Sequence, residues 1–323
     1  MKAIRYHRYG PPDVLEFTDA EMPAVTGDDL LVRVKAASVN PLDWHFMRGL
    51  PYLVRSQSGL SRPKDARLGV DMAGVVEKAG RNVTGFRPGD EVFGAGAGAF
   101  AEYLSIRHDA AVALKPAGLT FEQAAAVPVA AFTALQALRD KGHVKPGSKV
   151  LVNGASGGVG TFAVQLAKAL GADVTGVCST RNVATARSLG ADRVVDYSHE
   201  DFTKTVRDQD VMLDIAGTRT LAERRRVLAR NGVLVFIGGP EDGVLIGPLA
   251  GLLKMFIAAP FVSQKMVPFL ARNRKDDLVF LSGLLAEAKV TPVIDRTYPL
   301  SEVPEAIRYL EAGHAQGKVV ITV

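Results

Sequence analysis

Cysteine is all but absent from this chain: Cys178 stands alone among 323 residues. A lone thiol forms no internal disulfide, so the sequence excludes the stapled framework of small secreted domains and suits a reducing compartment. It equally excludes a cysteine-rich structural zinc site. A long uninterrupted apolar run is lacking too. The most hydrophobic stretch, residues 244–261, is broken by Gly247, Pro248, Gly251, Lys254 and Pro260, which argues against a membrane span and for a buried or interface helix. The opening MKAIRYHRYG carries charges where a secretory signal needs an apolar core. It therefore reads as a short strand, and the cytoplasm is the expected location. Basic residues interleaved with aromatics, the mark of a nucleic-acid surface, are missing as well. The net charge of +5 permits an anionic ligand without naming one, and Arg224, Arg225 and Arg226, following Glu223, read as a solvated helix face.

What is present divides in two. A chain of 323 residues is long for one hydrophobic core and suits two domains. Up to about residue 115 the text is strand-like, with apolar alternation in LLVRVKAASV and turns at Pro11-Pro12, Gly27-Asp28 and Pro88-Gly89-Asp90. From about residue 147 short apolar strands at 150–153, 173–178, 193–196, 211–215 and 233–237 alternate with helical segments. That is the pattern of a parallel sheet wound by helices. Thr161, Gln165 and Lys168 share one face of the first of these helices, which Gly171 ends, and a second over 183–189 stops at Gly190. The last stretch, residues 290–323, returns to strand, turn, helix and strand and is expected to rejoin the N-terminal domain.

Between the first strand and first helix of the α/β part lies NGASGGVG, residues 153–160, where two motifs overlap. Gly154-Ala155-Ser156-Gly157-Gly158 satisfies G-x-S-x-G, the nucleophile elbow of serine hydrolases. Ala155, Gly157 and Gly160 instead form A-x-G-x-x-G, a dinucleotide fingerprint with its first glycine replaced. The hydrolase reading could take His314 as its base but has no upstream oxyanion loop. The dinucleotide reading needs a second strand about twenty residues on, and that strand is present, ending at Cys178. Gly154, Ser156, Gly157, Gly158, Val159 and Gly160 are accordingly cofactor-loop candidates. Where an NAD-binding sheet carries Asp or Glu, this chain has Cys178 followed by Ser179, Thr180 and Arg181. With no carboxylate to repel a 2′-phosphate and an arginine to bind it, NADPH is expected over NADH. Tyr197, at the end of the third strand, is placed near the same phosphate or the adenine.

Further stretches extend from end to end: SVNPLDW, GVDMAGVV, FRPGDEVFG, AAVPVAAFTAL, LGADRVVDY and the final GKVVITV. With NGASGGVG they resemble the zinc-free medium-chain dehydrogenase/reductases, in the quinone oxidoreductase and alkenal or enone reductase branch. The resemblance implies an α/β protein with a GroES-like β-barrel domain at 1–122 and 292–323, and a Rossmann NADP-binding domain at 123–291. It implies an active site in the cleft between them and a homodimer. The zinc-dependent branch has a catalytic cysteine where this chain has Asn40, and G-H-E where it has Gly69-Val70-Asp71, so no metal is expected. The implied reaction is hydride delivery from C4 of the nicotinamide to a quinone or to the C=C bond of an α,β-unsaturated carbonyl, acceptors that stabilise developing charge themselves. A catalytically weak NADPH-binding or sensing protein is the alternative. The resemblance places Asn40 by the nicotinamide, Thr133 on its ribose, and Gly238 and Gly239 beneath it. A tyrosine common a few residues after N-P is replaced by His45 and Phe46, which leaves Tyr52 as proton donor or pocket lining. Lys318 reads as structural or as an electrostatic neighbour of the cofactor, and residues 48–67 as a mobile loop over the cleft.

Overall fold

The structure, a computed structural model, describes residues 1–237 and 263–323. Its strands in chain order are β1 (Lys2–Arg5), β2 (Glu16–Asp19), β3 (Asp29–Val39), β4 (Asp71–Ala79), β5 (Glu91–Ala95), β6 (Tyr103–Arg107), β7 (Val112–Leu114), β8 (Lys149–Asn153), β9 (Asp173–Cys178), β10 (Arg193–Asp196), β11 (Gln209–Asp214), β12 (Leu228–Phe236), β13 (Lys265–Pro268), β14 (Ile294–Pro299) and β15 (Lys318–Thr322). Two compact units result: Met1–Phe132, Asn273–Ala288 and Pro292–Val323 form the first, and Thr133–Arg272 with Lys289–Thr291 the second.

In the first unit the alternation of LLVRVKAASV becomes β3, which buries Leu30, Val32, Val34 and Ala36 and exposes Arg33. β3 is the hub of a sheet ordered β14-β15-β3-β4-β5-β7, with β6 also paired to β3. The C-terminal strand β15 lies antiparallel on β3, with Val319 opposite Val39 and Val320 opposite Ser38. The end of the chain thus completes the sheet its beginning started. The helix Val303–Glu311 buries Val303, Ala306 and Ile307 at the spacing of one helical face. Two helices that the sequence places wholly or largely in the Rossmann part lie with this unit: Phe121–Ala125, packed on β3 and β4, and Lys275–Ala286, against β7. Periodicity shows that a segment is helical and amphipathic; it carries no information on which sheet the apolar face covers.

The second unit is a parallel sheet ordered β10-β9-β8-β11-β12-β13. Counted from β8, that is the 3-2-1-4-5-6 order of the doubly wound dinucleotide fold. Five of its strands stand where apolar runs predict them. β13 carries no such signal, because only Met266 and Val267 of its four residues KMVP are partly buried and the strand ends in proline. The helix Gly158–Ala169 is buried on nearly every side, Thr161 and Gln165 included. Gln165 satisfies its amide by donating to Thr291 O (2.9 Å) and accepting from Thr291 N (2.8 Å). The shared polar face is therefore an internal contact.

The basic run departs from expectation. Arg224 is buried, its Nε 2.6 Å from Asp214 Oδ2 and its Nη2 donating to Gly217 O at 2.9 Å. Arg225 donates to Gln264 Oε1 (2.9 Å), and only Arg226 is exposed. The cause is orientation: the short helix Leu221–Val227 turns Arg224 inward, opposite the carboxylate that ends β11.

Candidate functional site

β8 runs through fully buried Val150, Leu151 and Val152 to Asn153, and the chain then turns on Gly154 at φ +97°. The amides of Gly154 and Ala155 donate to Val177 O on β9 (3.1 and 3.0 Å), which fixes the loop against the neighbouring strand. Two glycines of this loop have opposite reasons to be glycine. A Cβ on Gly160 would lie 2.0 Å from Gly154 O and 2.8 Å from Ala155 C, so no side chain fits between loop and helix. Among the described residues a Cβ on Gly157 would meet nothing nearer than Gly154 O at 3.8 Å. Packing among the described residues does not require glycine at 157. What its missing side chain leaves is open approach to a helix N-terminus, whose first-turn amides lack intrahelical partners and carry partial positive charge. These residues fit a pyrophosphate.

The loop sits where the strand order reverses, between β8 and β11, the place at which such sheets bind ligands beyond their strand ends. Asn153 Nδ2 donates to Asp214 Oδ1 across those two strand ends at 2.7 Å. Burial pushes the Asp214 carboxyl up, against the pull of Arg224.

Cys178 ends β9 fully buried, and burial, with a smaller contribution from Asp196, pushes its thiol up to about 11. It is a protonated, inert strand end at neutral pH. Beyond it Ser179 is half-buried, Arg181 is exposed, and Asn182 is buried. Asn182 Nδ2 donates to Ser156 Oγ and to Ser179 Oγ, both at 3.1 Å. None of the described hydrogen bonds brings a histidine to Ser156, the partner a hydrolase nucleophile needs. Tyr197, 56% exposed, ties its amide to Cys178 O at 3.0 Å. An open depression of about 510 Å³ adjoins this turn, lined in part by Thr180, Arg187, Asp196 and His199. The Asp196 carboxyl is held low, first by the Thr180 hydroxyl and then by Ser198, whose amide donates to it at 2.9 Å. Thr133 is buried in the helix Pro128–Gln136. Gly238, Gly239 and the segment 244–261 lie outside the described residues.

In the first unit Asn40 caps the helix Pro41–Arg48 and is buried, its amide N–H donating to Asp43 Oδ2 at 2.7 Å. Its side chain is clamped at both ends: Nδ2 donates to Asp71 Oδ2 (2.8 Å), and Oδ1 accepts from Lys318 Nζ (2.5 Å). Asp71 also accepts from Ser38 Oγ (3.0 Å) and from the amide of Val129 (3.0 Å), and lies 3.4 Å from Lys318. Burial pushes the Lys318 ammonium down, opposed by Asp71 and Asp43, while burial pushes Asp43 up to about 7. None of the described hydrogen bonds brings Tyr52 into this cluster. Tyr52 is 45% exposed, its ring 4.6 Å from the Arg55 guanidinium, which also lies 4.5 Å from the Tyr9 ring. Within 48–67, read as a loop, Tyr52–Val54 and Arg55–Ser58 are helical turns, anchored by Tyr9 OH to Ser58 Oγ (2.8 Å) and Gly59 O (2.6 Å). Sequence reasoning missed Asn182, Asp43 and the reach of Asp71 and Lys318. Asn182 closes the same GVCSTRN stretch that supplied Ser179 and Arg181, and Asp71 stands in the quoted GVD.

A 3-2-1-4-5-6 parallel sheet with a glycine loop at its switch point, joined to a β-rich unit closed by the chain's own C-terminus, defines a two-domain dinucleotide-type oxidoreductase. Residues 26–116 match the alcohol dehydrogenase GroES-like domain, and residues 189–321 match the family described as zinc-binding dehydrogenase. The chain is 34% identical to the mouse mitochondrial NAD(P)H oxidoreductase RTN4IP1, covering 100% of this chain and 89% of that protein. It is 35% identical to 2-methylene-furan-3-one reductase of Solanum lycopersicum, covering 99% and 79%. The solved Escherichia coli quinone oxidoreductase complexed with NADPH is similar at TM-score 0.85 and 26% identity, covering 100% of each chain. The chain belongs to the medium-chain dehydrogenase/reductase family, in its quinone oxidoreductase and enone reductase branch, and is an oxidoreductase.

Proposed function

We propose that the chain is an NADPH-dependent, zinc-independent reductase that transfers hydride to a quinone or to the C=C bond of an α,β-unsaturated carbonyl. The observation that carries this reading is the loop in which Gly160 is closed to any side chain while Gly157 is left open at a helix N-terminus. The uncharged end of β9, with Ser179 and Arg181 after it, supports the 2′-phosphorylated cofactor.

A bound nicotinamide would supply the hydride from its C4. The chain's part is to bind, orient and exclude water, and to offer a donor to the oxygen on which charge develops. Asn40 is suited to that task because Asp71 and Lys318 fix its carboxamide, and the second Nδ2 hydrogen is held only by a long contact of 3.5 Å to Ser38 O, which a substrate oxygen would replace. Zinc independence rests on the side chains present. Asn40 and Val70 stand where the zinc branch has Cys and His, and the Lys318 ammonium already supplies a cation to the Asn40 oxygen. Among the described residues no group of three His, Cys, Asp or Glu side chains could hold a metal ion.

The test is NADPH oxidation against matched quinones, 2-alkenals and cyclic enones, with NADH alongside and with chelator present. Turnover with a conjugated acceptor, faster with NADPH and indifferent to chelator, is the expected result. Tight NADPH binding with no oxidation across the panel would instead identify a cofactor-binding or sensing protein.

A further inference from the structure

The turn after β8 and the turn after β9 each present one serine, Ser156 and Ser179, and a single buried amide bridges them. An Asn NH2 group has two hydrogens and no acceptor capacity, so both serines are hydrogen-bond acceptors in this arrangement. Each spends a lone pair on Asn182 and keeps its O–H. Among the described residues neither hydroxyl donates to another group of the chain. The two turns are those that hold the pyrophosphate and the adenosine ribose in folds of this order.

We propose that Asn182 is a positioning residue for cofactor binding, holding the Ser156 and Ser179 hydroxyls with their hydrogens turned outward as a pair of donors for an anionic ligand. This deepens the cofactor reading and rests on it. A neutral amide in this place sets hydroxyl polarity without adding charge. An Asp of nearly the same shape would accept from both serines and turn their hydrogens inward.

The experiment is a calorimetric titration of NADPH into the full chain, wild type first, so that absence of binding there refutes the cofactor reading and not this one. Asn182→Asp and Asn182→Ala are then titrated in two backgrounds, with both serines intact and with Ser156→Ala and Ser179→Ala together. Melting of each ligand-free variant establishes that it is folded. With the serines intact, Asn182→Asp is expected to weaken NADPH binding by about tenfold or more, and Asn182→Ala by a few-fold. In the double-serine background the Asp penalty shrinks to that of its charge and the Ala penalty disappears. Equal penalties in both backgrounds would overturn the proposal, because Asn182 would then act without the serines. Wild-type affinity in Asn182→Asp would overturn it too. Should Asn182→Asp fail to fold, the Asn182→Ala cycle decides the matter alone.

Discussion

Asp71→Ala is expected to lower the stability of the first unit by about 3–5 kcal/mol, the cost of removing one partner from a buried ion pair. Asp71 is fully buried and serves Asn40, Ser38, Val129 and Lys318 at once, so its loss leaves a buried ammonium and three donors without their acceptor. The readout is built in: Trp44 is the only tryptophan and packs against the first unit's core, so its fluorescence in a denaturant titration reports that unit. Pairing Asp71→Asn with Lys318→Met should cost far less, under about 2 kcal/mol, because both charges leave together. Asp43, already pushed up to about 7 by burial, then takes a proton. A single-variant loss below about 1 kcal/mol would mean that the cluster does not carry the stability assigned to it.

Gly160→Ala has the largest expected effect on cofactor binding. Its Cβ would stand 2.0 Å from Gly154 O and 2.8 Å from Ala155 C, and both are backbone atoms of the loop itself. No rotamer relieves such a contact, so loop and helix must separate, at an overpacking cost of about 1–3 kcal/mol. The loop amides are tied to Val177 O, so that separation distorts the cradle. NADPH affinity should fall by roughly a hundredfold, the scale of an ångström of misplacement. A variant that binds NADPH within about twofold of wild type would show that the loop is not the phosphate site.

The strand positions and the glycine loop could be read along the chain because their causes are local: short apolar runs, turn glycines, and a helix that begins on small residues. The pairing of β15 with β3 was anticipated only as a return of the chain. Its register, with Val320 opposite Ser38, brings Lys318 to Asn40, and no local pattern encodes that. Arg224 shows the same limit from the other side. A run of three arginines looks solvated until Asp214, at the end of a different strand, supplies the buried partner. Asn182 carries no local signal, because its contacts are two hydroxyls from two separate turns.

The claim on which the rest depends is that Gly157 is glycine for the cofactor and not for the fold. Ligand-free Gly157→Ala should melt within about 1 kcal/mol of wild type, since its φ of −79° suits alanine and, among the described residues, the new Cβ meets only Gly154 O at 3.8 Å. Calorimetric titration of that variant with NADPH should nonetheless show binding weakened by about tenfold or more, because the methyl occupies the approach to the helix N-terminus. Unchanged melting with unchanged NADPH affinity would contradict the account.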